Sequence, residues 1–169
     1  MDIGNLKVRF ATKLISLLPT SRFHDLKASL LRAAGLKVGK GVEIWSGAKF
    51  YSPHIEIGDK CFIGFNVQLF ASAHGKIVLG NNCALGTDVI INTGGHELGP
   101  PTRRSGKGYS KEIVIGDGVR ISTRAIVLEG ARIGVGSQIA AGAVVIRDVK
   151  ENTLVGGVTA RWIKDLQLE

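Results

Sequence analysis

Broken every six residues, positions 115–148 read IGDGVR, ISTRAI, VLEGAR, IGVGSQ, IAAGAV and VIRD. Each block opens on an aliphatic residue: Ile115, Ile121, Val127, Ile133, Ile139 and Val145. Four positions after each opener stands a small or slim one: Val119, Ala125, Ala131, Ser137, Ala143 and Val149. A period of six is neither the alternation of a single strand nor the 3.6 of a helix. It fits three short strands joined by tight turns, so that 18 residues close one triangular coil. The opener points inward and stacks on its equivalent one coil away, and the small residue fits the crowded corner. Such coils pair by parallel ladders, so no coil is stable alone.

The pattern extends upstream as Ile57, Ile63 and Leu69, then Leu79, Leu85 and Ile91, with a weaker first copy at Val38, Ile44 and Phe50. The openers form five triplets, which predicts about five coils over residues 38–158. An α/β sheet would need helices of a dozen or so residues between its parallel strands, and the gaps here are too short. One residue is added before Ile57 and four before Leu79. The stretch 97–112 (ELGPPTRRSGKGYSKE) lacks the pattern and is expected to leave the coil as a surface loop. Long loops on rigid scaffolds often carry function.

Composition agrees with an all-β repeat protein. Of 169 residues, 23 are glycine and 44% are hydrophobic, which argues against a disordered chain. The net charge of +8 favours anionic partners. No zinc-finger spacing, RNA-recognition signature or basic heptad is present, so nucleic acid is not expected. Cys61 and Cys83 are too few for a disulfide scaffold and read as buried small residues at corner positions. No apolar run approaches the ~20 residues that span a bilayer. No signal-peptide pattern is present, so a cytoplasmic protein is the expectation.

The ends differ from the middle. Residues 1–37 are expected to form a helical cap. Ile3, Leu6, Phe10, Leu14 and Leu17 recur at helical spacing, and Pro19 breaks the run. Ser21 can then N-cap a second helix carrying Phe23, Leu26, Leu30 and Leu31, which Gly35 ends. Two readings stay open: a plug over the first coil, or a basic amphipathic surface that makes peripheral contact with the inner face of a membrane bearing lipid-linked sugars. Residues 159–169 are expected to form a short closing helix.

His96 closes the third triplet in Asn92-Thr93-Gly94-Gly95-His96-Glu97, where the long loop departs. A neutral imidazole is the usual general base near neutral pH. His74 occupies the equivalent place one coil earlier. It reads either as lining an acceptor pocket or as a surface residue.

From residue 38 to 164 the sequence resembles the hexapeptide-repeat acetyltransferases, in particular the maltose and galactoside O-acetyltransferases and their capsule and lipopolysaccharide relatives. Thr93-Gly94-Gly95-His96 is similar to the family's Thr-Gly-His stretch with one residue added, and Tyr109-Ser110 precedes Ile113-Val114-Ile115-Gly116 as in the family. Ile139-Ala140-Ala141-Gly142-Ala143 and Gly157-Val158-Thr159-Ala160-Arg161 resemble its closing segments, with Thr159 where proline is usual. The resemblance implies a left-handed winding, against the usual right-handed crossover rule, and a homotrimer with acetyl-CoA clefts between subunits.

It also implies transfer of an acetyl group from acetyl-CoA to a hydroxyl of a sugar, sugar nucleotide or lipid-linked sugar in surface polysaccharide biosynthesis, without a metal. His96 would be the general base and Thr123 the oxyanion donor. Ala141 would touch the pantetheine arm, and Arg147, Arg161 and Lys164 would face the CoA phosphates. Asn66, after Gly64-Phe65, is a weak acceptor-pocket candidate beside His74. The alternatives are an N-acetyltransferase on a nucleotide-linked amino sugar, a non-catalytic scaffold, and a zinc hydratase similar to γ-class carbonic anhydrases. The last needs three histidine ligands where the coil offers two.

Overall fold

A computed structural model describes residues 3–167. The chain winds as a left-handed parallel β-helix, and its three faces are three sheets. The first sheet stacks Val38, Ile57, Leu79, Ile115 and Ile133 in register. The second stacks Ile44, Ile63, Leu85, Ile121 and Ile139 and continues to Val155. The third stacks Phe50, Leu69, Ile91, Val127 and Val145. All fifteen triplet residues are buried. Beyond them a partial sixth tier adds Val149 and Val158 through single bridges.

The corners explain the spacing. Two of them need a residue in the left-handed region in nearly every tier. One column holds Gly41, Lys60, Asn82, Gly118, Gly136 and Asn152; the other holds Gly47, Asn66, Asp88, Arg124 and Gly142. Glycine, asparagine and aspartate tolerate this conformation best. At the first of these corners, side chains also clip tier to tier: Asp59 Oδ1 accepts from the Lys40 N–H, Asn81 Oδ1 from the Asp59 N–H and Asp117 Oδ1 from the Asn81 N–H, at 2.7–2.9 Å. Cys61 and Cys83 are buried free thiols one tier apart. The adjacent Cys61 side chain and burial push the Cys83 thiol up, which keeps it protonated.

The first tier would expose three strand edges, and the N-terminal helices cover them. Helices α1 (Ile3–Ser16) and α2 (His24–Ala33) supply side chains to all three. Arg32 Nε donates to the Val38 carbonyl at 2.8 Å, Lys27 Nζ to Ile44 at 2.9 Å and the Thr12 hydroxyl to Phe50 at 3.3 Å. Lys27 is fully buried, and its ammonium also donates to Pro19 and Thr20 carbonyls. Burial lowers its pKa from the usual 10.5, while three carbonyls hold the protonated form.

Two sequence expectations change, the start of the second helix and the closing helix. Phe23, not Ser21, precedes the second helix; it takes a left-handed turn with no side-chain cap. The helical face packed on the coil is Val8, Ala11 and Ile15, whose compact side chains let α1 lie close. Ile3, Leu6, Phe10 and Leu17 face outward. The 97–112 stretch does leave the coil, and it forms part of an antiparallel hairpin of Gly94–Leu98 with Ser105–Ser110. Finally, the expected C-terminal helix is a strand. Arg161–Asp165 pairs antiparallel with Thr153–Gly156, after a turn containing Gly157 at φ 94° and a cis Val158–Thr159 peptide. The last strand of the second sheet would otherwise be an open edge, and pairing satisfies it.

Candidate active site

The third tier ends on Ile90–Asn92, and the chain must leave the coil there. Asn92 makes the bend: its Oδ1 accepts from the Gly94 N–H at 3.1 Å and its Nδ2 donates to the Gly94 carbonyl at 3.2 Å. Thr93 is buried and ties its hydroxyl to the Phe70 carbonyl. His96 therefore stands on a strand anchored at its root.

Opposite it, Gly106 of the returning strand offers its carbonyl 3.1 Å from His96 Nδ1. A carbonyl only accepts, so Nδ1 carries the proton and Nε2 keeps its lone pair. That is the tautomer a general base needs, and the imidazole is exposed at the cavity wall.

The cavity holds about 520 Å³ and is lined by Ser72, His74, Asn92, Gly94, Gly95, His96, Gly108, Tyr109 and Ser110. His74 thus joins His96 at one site. The lining is neutral and polar, with hydroxyl, amide and imidazole groups but no carboxylate or cationic side chain. Ser72 donates to the Ser110 hydroxyl at 2.7 Å and closes one side. On the other, the Tyr109 hydroxyl donates to Glu129 Oε1 at 2.8 Å, bridging the hairpin to the coil. A Cβ on Gly95 would come within 2.9 Å of Glu129 Oε1 and of the Tyr109 ring and hydroxyl. The glycine added before His96 therefore makes room for this bridge. Glu129 escaped the sequence reading. Its only signal was an acidic residue two positions after the inward Val127.

Thr123 and Ala141 meet elsewhere. They line a groove of about 670 Å³ on the second sheet, with Phe62, Ala84, Gly86, Arg120 and Ala140 among its walls. Gly142 N–H donates to the Thr123 carbonyl at 3.0 Å, which locks the two turns together. Arg147 lines a third cavity, of about 280 Å³, beside Trp162 at the C-terminal end. Arg161 and Lys164 are exposed on the closing strand. Asn66 lies at a coil corner, where its amide donates to Asp88 Oδ1 at 3.2 Å, and it does not line the His96 cavity. Within one chain the His96 cavity and the Thr123–Ala141 groove share no lining residue. Among the described residues no three His, Cys, Asp or Glu side chains gather as a metal site.

Comparison with known proteins adds three findings. The galactoside O-acetyltransferase of Escherichia coli is 28% identical over 143 residues, covering 84% of this chain and 70% of that protein. The galactoside O-acetyltransferase of Lactococcus lactis is 33% identical over 110 residues, covering 65% of this chain and 52% of that protein. A solved galactoside acetyltransferase in complex with coenzyme A matches with a TM-score of 0.86 at 25% identity, covering 97% of this chain and 81% of that one. The chain spans little more than half the length of several curated relatives it matches. No family model matches it.

Proposed function

We propose, on the premise that this chain is a member of the hexapeptide-repeat acetyltransferase family, that it moves an acetyl group from acetyl-CoA to a hydroxyl of a sugar. The observation that carries the reading is the His96–Gly106 bond, which leaves Nε2 as the basic nitrogen of an imidazole that lines a polar cavity. A sugar hydroxyl bound there gives its proton to Nε2 as its oxygen attacks the thioester carbonyl. The carbonyl oxygen gains charge, and Thr123 is the donor assigned to it. The tetrahedral adduct then collapses, the C–S bond breaks, and His96 returns the proton to the departing thiolate. The products are the acetylated sugar and CoA with a free thiol. No covalent enzyme intermediate is required, because both substrates are held together and proximity supplies much of the rate.

Thr123, however, lies in a different cavity from His96 in a single chain. We therefore assign the working unit as a homotrimer, in which His96 of one protomer meets Thr123 and Ala141 of its neighbour. In it Ala141 walls the pantetheine arm, while Arg147, Arg161 and Lys164 face the CoA phosphates. The acceptor is placed by the hydroxyls and amides around His74. Biosynthesis of surface polysaccharide is the setting that a sugar acceptor suits.

The test measures free-thiol release from acetyl-CoA against sugars, amino sugars and nucleotide sugars, with His96→Ala in parallel. Release with a hydroxyl acceptor, lost in the variant, supports the proposal. Release only with amines, largely retained in the variant, would replace it with N-acetylation. No turnover and no binding of acetyl-CoA would remove it. Sedimentation at equilibrium tests the trimer separately.

A further inference from the structure

The cap helices carry two apolar faces, and the coil needs only one. Val8, Ala11 and Ile15 are buried against the first tier. On the outer side of α1 and the turn that ends it, Ile3, Leu6, Phe10 and Leu17 are 56–73% exposed, at spacings of three, four and seven. On α2, Leu26 is 48% exposed. Phe10 and Leu14 meet Leu30 and Ala33 of α2 along a shallow groove between the helices, so the exposed apolar surface broadens into a patch across the blunt end of the prism.

Charge around the patch is of one sign. Between residues 3 and 33 the basic side chains are Lys7, Arg9, Lys13, Arg22, Lys27 and Arg32, against Asp25 alone. Lys27 is buried and Arg32 is bonded to the Val38 and Gly39 carbonyls, which leaves Lys7, Arg9, Lys13 and Arg22 exposed around the apolar surface. A second copy docking end to end would bring these cations against their own kind, which is unfavourable. An anionic bilayer surface matches both features. It accepts the large apolar side chains at the headgroup boundary and attracts the flanking cations. At 14 residues α1 is too short to cross a bilayer, and among the described residues no helix is long and apolar enough to do so. The helices would therefore lie on the surface.

We propose that the outer face of α1 and α2 is a docking surface for anionic phospholipid bilayers, holding the protein end-on to the membrane. This stands apart from the acetyl-transfer chemistry, since none of these side chains lines the His96 cavity or the Thr123–Ala141 groove.

The experiment is cosedimentation of the full chain with vesicles of equal parts phosphatidylglycerol and phosphatidylcholine, against vesicles of phosphatidylcholine alone. Binding is expected to the anionic vesicles, weakening as salt rises. Phe10→Asp with Leu17→Asp, and separately Lys7→Glu with Lys13→Glu, should each lower the partition coefficient by about tenfold or more. Because these side chains are exposed, thermal melting should be unchanged. Phe10→Ser with Leu17→Ser is the milder pair should the aspartates perturb folding. A Phe10→Trp variant should show quenching by brominated lipid. Folded wild-type protein that ignores anionic vesicles would overturn the proposal, as would a Phe10/Leu17 pair that binds like wild type. Self-association abolished by Phe10→Asp, without vesicle binding, would assign the face to a second copy instead.

Discussion

His96 and Gly106 face each other across the hairpin, with the imidazole Nδ1 3.1 Å from the glycine carbonyl oxygen. The imidazole is thus oriented by backbone rather than by a carboxylate, and its orientation depends on the hairpin keeping its register. A Cβ on Gly106 would fall 2.7 Å from the Glu97 carbonyl oxygen and 3.2 Å from the Gly99 nitrogen, both main-chain atoms that cannot swing away. Gly106→Val should therefore move the carbonyl, free the ring, and lower kcat by about 10- to 100-fold, part of a general base's full worth. The KM for acetyl-CoA should stay near wild type. Steady-state kinetics with the best acceptor checks this, and an unchanged kcat would show that the carbonyl does not position the base.

The Tyr109–Glu129 bridge makes a prediction in pH. The hydrogen bond to Glu129 raises the Tyr109 pKa above its ordinary 10.0, with burial and the Glu129 and Glu97 charges adding to it. A pKa raised in the folded state means that the bridge contributes its full stabilisation below the ordinary tyrosine pKa. That stabilisation is lost as pH rises through the raised value. Wild type should thus be more stable than Tyr109→Phe at neutral pH, and the gap should narrow above pH 10. Urea unfolding of both proteins across this range reads the difference; a gap independent of pH would remove the bridge.

Lys27 tests how the cap is held. Its ammonium donates to the Pro19, Thr20 and Ile44 carbonyls at 2.8–2.9 Å inside the helix–coil interface. Lys27→Met keeps the stem but leaves one buried and two partly buried acceptors without their donor, and should cost about 2–3 kcal/mol. Chemical denaturation gives the number. A loss well under 1 kcal/mol would mean that water reaches these carbonyls.

How much of this the sequence could reveal depends on which residues repeat. Ile115, Ile121 and Val127 announce the coil because each must stack on a twin, and stacking forces a period on the chain. The Gly94–Leu98 and Ser105–Ser110 strands have no lumen to fill, so they show no apolar alternation, and 97–112 read as loop. Arg161–Asp165 read as helix because nothing local to it records the open edge it must cover. The α1 stripe shows how little spacing alone says about which face packs. Its largest apolar residues repeat at helical spacing, yet the residues buried are Val8, Ala11 and Ile15. The place of His96, where the chain departs from the coil, was legible from the motif around it. Glu129 and the carbonyl of Gly106 were not, because their roles arise only when the hairpin folds back over the coil.

Two glycines separate the causes of corner strain. A Cβ on Gly58 would fall 2.5 Å from the Gly80 carbonyl oxygen and 2.6 Å from its carbon, so the next tier's backbone blocks it. Gly142 has φ 68° with nothing within 4 Å of its added Cβ. Gly58→Ala should cost about 2–3 kcal/mol through the clash, and Gly142→Ala about 1 kcal/mol through the left-handed conformation alone. Thermal unfolding of the pair checks the order, and the reverse order would contradict the tier spacing.

The groove carrying Thr123 and Ala141 offers the most direct separation of donor from acceptor. Its floor is walled by Ala84, Gly86, Ala140 and Ala141, side chains so short that a narrow chain can lie against the sheet backbone. The His96 cavity has its own walls, and none of them belongs to the groove. Filling the groove with Ala141→Trp should then raise the KM for acetyl-CoA by about tenfold or more, the loss of one to two kcal/mol of contact. The KM for the acceptor should hold, because the polar cavity around His74 is untouched. The opposite result, with the acceptor KM raised and the acetyl-CoA KM unchanged, would exchange the two sites and place the acyl donor beside the hairpin.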